Sequence, residues 1–238
     1  QIIEVGPNHS KKATEVAVRA GREDVFLDLG CLRFDQAANL QLTFRQTIQG
    51  LAHAIEAMDT YTAGHSDRVT VYARLIAEQL GEPEEQIELV TQAGILHDIG
   101  KLGCHANLNK PGKLTAEEYE IFKAHPSFGK DILAPITFLD AIIPGVHHHH
   151  ERWDGNGYPE NLKGEDIPKI ARILSVADSY DAMTSNRAYR RAMEHTIAVQ
   201  ELKRCSSSQF DPSMVDAFLA AIETYRDDCR RRGIPYPL

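Results

Sequence analysis

Ile95-Leu96-His97-Asp98-Ile99-Gly100-Lys101 is the stretch around which this chain is organised. Upstream of it, Ile87, Val90 and Ile95 recur at helical spacing and Gly94 leaves room for a close neighbour, so the segment reads as the buried face of a helix running into His97. Gly100 then reads as the helix stop. A histidine and an aspartate side by side at that end sit where the negative pole of the helix favours a cation. Lys101, four residues after His97, shares nearly the same face and can reach an anion bound to that cation. A lone His-Asp pair is commonplace, and it is the other histidines that give this one weight.

The 238 residues suffice for one large domain, or one domain with a small appendage, and 42% apolar content is ordinary for a globular chain. The net charge of −8 excludes a broad surface for nucleic acid or anionic membrane, so an anionic substrate must be met by a local site. No apolar run is long enough to span a bilayer. The first residues show no signal peptide and no initiator methionine, which implies a piece of a longer protein. Cys31, Cys104, Cys205 and Cys229 are widely spaced and form no metal or disulfide framework, so a reduced, cytoplasmic setting is expected.

Residues 1–40 read as a linker or the remnant of an upstream region, with Gly6, Pro7 and Gly21 as breakers and Val25-Phe26-Leu27 as a short apolar run. Residues 41–238 read as one helical domain. Helical periodicity begins with Leu51, Ile55 and Met58 and continues through Val69, Tyr72, Ala73, Ile76 and Leu80, with Gly81 and Pro83 closing that helix. Thr115 and Glu118 make a capping box ahead of Tyr119 and Phe122, and Asp211-Pro212 opens a helix carrying Val215, Phe218, Leu219 and Ile222. Stretches 109–114 and 151–168 read as loops, and no convincing strand alternation appears. The expected fold is all-α, a compact helical bundle with a metal centre in its core.

Each further candidate has a plain alternative. His65 at a helix start would ordinarily be a cap or surface residue, and His125 before Pro126 a solvated turn. His147-His148-His149-His150 would ordinarily be a surface run, but the flank Glu151-Arg-Trp-Asp-Gly-Asn-Gly157-Tyr158-Pro159 is not solvent filler. Adjacent helical residues point about 100° apart, so His149 and His150 would straddle one site or serve two metals. Asp178 and Asp181 lie three apart among small and apolar residues, where carboxylates are seldom unpaired. Together His65, His97, Asp98, His125, His149, His150 and Asp178 exceed the ligands of one closed site. Mixed nitrogen and oxygen donors suit iron, manganese, zinc or nickel, and two metals bridged by a carboxylate would use them all in attack on a phosphodiester.

In these motifs the chain resembles the HD-GYP domains, a subgroup of the HD phosphohydrolases, from about Met58 to about Phe218. The resemblance rests on Tyr61-Thr-Ala-Gly-His65-Ser, Leu96-His97-Asp98-Ile-Gly-Lys101, Asn109-Lys-Pro-Gly-Lys-Leu114, His125-Pro126, the His149-to-Pro159 run, Val176-Ala-Asp178-Ser-Tyr-Asp181-Ala and Ser185-Asn-Arg187-Ala-Tyr-Arg190. It implies the same seven metal ligands, a phosphate-contacting Lys101, and ligand-binding roles for Tyr158, Arg187 and Arg190. Some members hold a third metal through a glutamate four residues before the first histidine. Tyr61 stands there in this chain, so two transition-metal ions are expected, iron or manganese ahead of zinc or nickel. The segment from Gly103 to Asn109 is about one residue shorter than the family pattern, and His105 in it has no family role.

The resemblance implies a phosphodiesterase that hydrolyses cyclic di-GMP to pGpG, leaving open further cleavage to GMP, with Asp98 and Lys101 catalytic and Arg187 and Arg190 orienting the substrate. It leaves open the same chemistry on cyclic GMP-AMP, and a silent cyclic-dinucleotide sensor. It also implies an upstream sensory or receiver domain and admits a homodimer. No large nucleic acid is an expected partner.

Overall fold

The computed structural model describes residues 15–20, 23–28, 43, 46–54, 56–57, 64–107, 115–186 and 191–233. The chain divides into two compact units, residues 1–48 and 49–238, and the break expected after residue 40 falls inside the first of them. In that first unit β1 (Glu15–Ala20) and β2 (Glu23–Asp28) form an antiparallel ladder pairing Val18 with Val25 and Val16 with Leu27. The ladder stands where the sequence reads as a linker. Six-residue strands are too short for alternation to stand out, and the register that pairs them is set between segments.

The regular elements described in the second unit are helices, joined by loops and with one isolated bridge between Ser206 and Phe210. Following a helical stretch at residues 51–54, its elements are α1 (His65–Gln79), α2 (Glu84–Leu96), a 3₁₀ run over Ile99–Asn107, α3 (Ala116–Phe122), α4 (His125–Leu133), α5 (Ile143–His148), α6 (Lys169–Thr184), α7 (His195–Cys205) and α8 (Pro212–Arg232). The anticipated caps are present. Thr115 and Glu118 close a reciprocal capping box, and Asp211 accepts the Ser213 amide ahead of α8 with Pro212 in its first turn.

The core is where α1, α6 and α8 meet. Tyr72, Tyr180 and Phe218 are fully buried and pack edge to face, with ring centroids 5.0 Å apart for the two tyrosines and 4.7 Å for Tyr180 and Phe218. Val69, Ile76, Leu174, Val176 and Ile222 fill the space around them. Gly94 behaves as its sequence context implies: a Cβ there would lie 2.9 Å from Thr70 Oγ1, so α1 and α2 touch at this point. Ile95, expected on the buried face, is only half-buried, and Leu96 takes its place in the core.

Gly100 departs from its sequence reading. It does not terminate α2, which ends at Leu96, and it lies inside the following 3₁₀ run. Its lack of a side chain instead admits the backbone of α4: a Cβ at Gly100 would sit 1.8 Å from the His125 carbonyl oxygen and 2.4 Å from the Gly129 nitrogen. That contact sets His125 against the His97-Asp98 segment.

Candidate metal centre

Three of the histidines are built alike. His97, His125 and His149 each donate Nδ1–H to the carbonyl three residues earlier: Gly94 at 2.7 Å, Phe122 at 2.9 Å and Val146 at 2.7 Å. A carbonyl can only accept, so the proton is on Nδ1 and the Nε2 lone pair is left facing inward. The carbonyls come from the last turns of α2, α3 and α5, which have unspent acceptors there. A histidine placed just past a helix end thus acquires a fixed tautomer from local backbone alone.

His65 opens α1 and has no helix end behind it. Asp181 from α6 takes that part instead, accepting His65 Nδ1 at 2.7 Å, and Arg68 in turn donates to Asp181 Oδ1 at 2.5 Å. Glu56 accepts the amides of Gly64 at 2.9 Å and Ser66 at 2.7 Å, tying down the first turn that carries His65. The sequence motifs assign Asp181, Arg68 and Glu56 no part in the site. The one signal for Asp181 is its three-residue spacing from Asp178 on a small and apolar helix face.

His65, His97, His125 and His149 are all at most 2% exposed, which overturns the surface readings of His65 and His125. Their inward nitrogens meet around Asp98. Its Oδ2 lies 3.5 Å from His65 Nε2 and 3.4 Å from His97 Nε2, and its Oδ1 lies 3.4 Å from His125 Nε2. Asp178 Oδ1 is 3.3 Å from His65 Nε2 on the near side. On the far side His125, His149 and His150 form a second trio of donors, with His125 and His149 Nε2 atoms 3.3 Å apart. Asp98 therefore turns one oxygen to each of two donor groups. His97 Nε2 is buried without a hydrogen-bond partner. An orphaned lone pair of this kind costs about 1–3 kcal/mol unless something fills it, and a cation would.

Lys101 reaches Asp98 Oδ2 at 2.6 Å, as an i,i+3 pair across the start of the 3₁₀ run. Tyr158 is half-buried and stacks on His150 with centroids 4.9 Å apart. A cavity of about 490 Å³ opens onto His65, Asp98, Lys101, His150 and Asp178. Arg187, Arg190, Tyr61 and the stretch 109–114 lie outside the described residues, as does the side chain of His105.

Charge is sharply divided across the site. Burial works against a proton on His65, but Asp178, Asp181 and Asp98 outweigh it and raise this imidazole to about 10. Burial and then the neighbouring His150 push His125 down to about 3, and burial likewise lowers His149 and His150. Burial of Asp98 is outweighed by Lys101 and His97, which hold it well below the usual carboxylate range. The metal-free protein should therefore be most stable near pH 6.5, the ordinary imidazole value. Below it the unfolded chain takes up a proton at His125 that the fold refuses down to about 3, so stability is lost as pH falls. Above it the fold retains the His65 proton to about 10 while the unfolded chain has released it, so stability is lost as pH rises. Urea unfolding of chelator-treated protein from about pH 4 to about pH 9 measures this, and a midpoint still climbing at the alkaline end would contradict it.

A helical bundle that gathers these imidazoles around a central carboxylate, at the mouth of one cavity, defines a class of protein able to hold metal at its core. The chain belongs to the HD domain family, which matches residues 50–214, and its motifs are those of the HD-GYP subgroup. The cyclic di-GMP phosphodiesterase response regulator RpfG of Xanthomonas campestris pv. campestris is 42% identical over 178 residues, covering 74% of this chain and 47% of that protein. A 3'3'-cGAMP-specific phosphodiesterase 2 of Vibrio cholerae is 34% identical over 184 residues, covering 76% of this chain and 35% of that protein. The chain thus spans less than half the length of these relatives. A crystal structure of a cyclic GMP-AMP specific phosphodiesterase from Vibrio cholerae shares the fold, with a TM-score of 0.60 at 21% identity over 80% of this chain and 51% of that one. Among the described residues no helix is long and apolar enough to cross a membrane.

Proposed function

We propose that residues 41–238 are the catalytic domain of a metal-dependent phosphodiesterase that hydrolyses cyclic di-GMP to pGpG, with further cleavage to GMP left open. The observation that carries the reading is the position of Asp98, with one oxygen toward His65 and His97 and the other toward His125. The donor set fits two metal ions. His65, His97, Asp98 and Asp178 would hold one, and His125, His149, His150 and Asp98 the other, with iron or manganese ahead of zinc or nickel for mixed imidazole and carboxylate donors. Such a pair, when bound, supplies a hydroxide near neutral pH and positive charge for the phosphate oxygens.

The chain's own groups do the rest. Lys101 stands at the cavity beside Asp98 and stabilises charge gathering on the phosphate. Tyr158, stacked on the cavity-lining His150, is assigned to a base of the substrate on its motif. Arg187 and Arg190 are assigned the second phosphate on their motif alone. Cyclic GMP-AMP is the second reading, favoured by the relative at 34% identity that bears that specificity in its name. The complete set of donors argues against a silent sensor. A receiver or sensory domain upstream, and a cytoplasmic setting, belong to the same proposal.

The test is metal analysis of protein purified without oxygen, together with product analysis after incubation with each cyclic dinucleotide. Two iron or manganese equivalents per chain and the appearance of pGpG are expected. Metal-loaded protein that leaves both cyclic dinucleotides intact would refute the reading.

A further inference from the structure

The four consecutive histidines divide in two. His149 and His150 face the centre just described, whereas His147 and His148 face Glu160, and each of these three offers a donor atom within 4.8 Å of the others. His147 is 6% exposed, its Nε2 lies 3.2 Å from Glu160 Oε1, and its Nδ1 is buried without a hydrogen-bond partner. His148 has a buried Nδ1 in the same condition, and the two rings lie 4.5 Å apart between centroids. Neither nitrogen has a hydrogen-bond partner, Glu151 Oε1 lying 3.8 Å from His148 Nδ1, and buried nitrogens left so are costly in a protein interior unless a ligand satisfies them.

The loop that carries the Glu160 carboxylate is anchored through its backbone. Glu151, 2% exposed, accepts the backbone amides of Glu160 at 2.7 Å and Leu162 at 3.1 Å. The backbone that carries Glu160 is therefore anchored beside the histidines. We propose that His147, His148 and Glu160 form a second metal site, outside the catalytic centre, that takes an imidazole-seeking divalent ion of the zinc class. Two imidazoles and one carboxylate suit zinc, whereas magnesium and calcium require more oxygen donors than are present. A bound ion would tie the end of α5 to the loop that carries Tyr158 over His150.

The experiment compares zinc binding by the full chain with that of His148→Ala and Glu160→Gln, using calorimetric titration and elemental analysis of dialysed protein. Zinc-saturated wild type should hold one more equivalent per chain than either variant. Glu160 is exposed and His148 half-buried, so both changes spare the core, and thermal melts by circular dichroism verify the fold. Asp98→Ala serves as the third arm and should remove only the inner metals, so failure of the outer site and failure of the catalytic reading give different patterns. Equal zinc content in wild type and both folded variants would overturn the proposal. So would loss of the inner metals from Glu160→Gln, because the residue would then act on the catalytic centre.

Discussion

Asp98→Ala is expected to abolish hydrolysis and to lower metal affinity at both inner positions by more than about 100-fold. Loss of an outer-shell partner alone costs about 10–100-fold, and Asp98 stands between the two donor groups rather than behind one. Its oxygens lie 3.4 Å from His97 Nε2 and 3.4 Å from His125 Nε2, so one carboxylate serves both sides. The change also strips Lys101 of its 2.6 Å partner, and both side chains are nearly buried. Breaking a buried pair by removing one member destabilises by about 3–5 kcal/mol, so the melting temperature should fall although helical content at low temperature persists. Asp98→Asn separates the effects, because it keeps an oxygen for Lys101 while removing the charge. Metal content, turnover and melting measured on all three proteins decide the matter. A metal-loaded alanine variant that still turns over would remove Asp98 from the mechanism.

Gly100→Ala should be the most damaging single methyl in the bundle. The added carbon would lie 1.8 Å from the His125 carbonyl oxygen and 2.4 Å from the Gly129 nitrogen, both backbone atoms that cannot rotate aside. The 3₁₀ run and α4 must separate, and His125 moves with α4, away from Asp98 and His149. Overpacking of this kind costs about 1–3 kcal/mol, with the upper end expected here because backbone meets backbone. The second effect is functional: weaker metal binding on the His125 side. Gly50→Ala is the control, because Gly50 is helical and a methyl added there would meet nothing within 4 Å. It should be neutral or stabilising by up to about 1 kcal/mol. Equal melting temperatures for Gly100→Ala and wild type would show that the 3₁₀ run does not pack on α4 in this way.

The helices, their caps and the donor types are legible along the chain. Hydrophobic spacing in α1, α2 and α8 follows from the 3.6-residue turn, and the capping residues act on amides a few positions away, so both are local and readable. The tautomers of His97, His125 and His149 are local too, each fixed by a carbonyl three residues back. What depends on residues far apart in the chain is settled only by packing. Asp181 orients His65 across 116 positions. Gly100 proves to be a contact with α4 and not a helix stop, and the histidine run proves to face two ways. The β1–β2 ladder likewise rests on cross-strand pairing rather than on alternation within either strand. In each case the decisive energy is a contact between segments, which spacing along one segment does not encode.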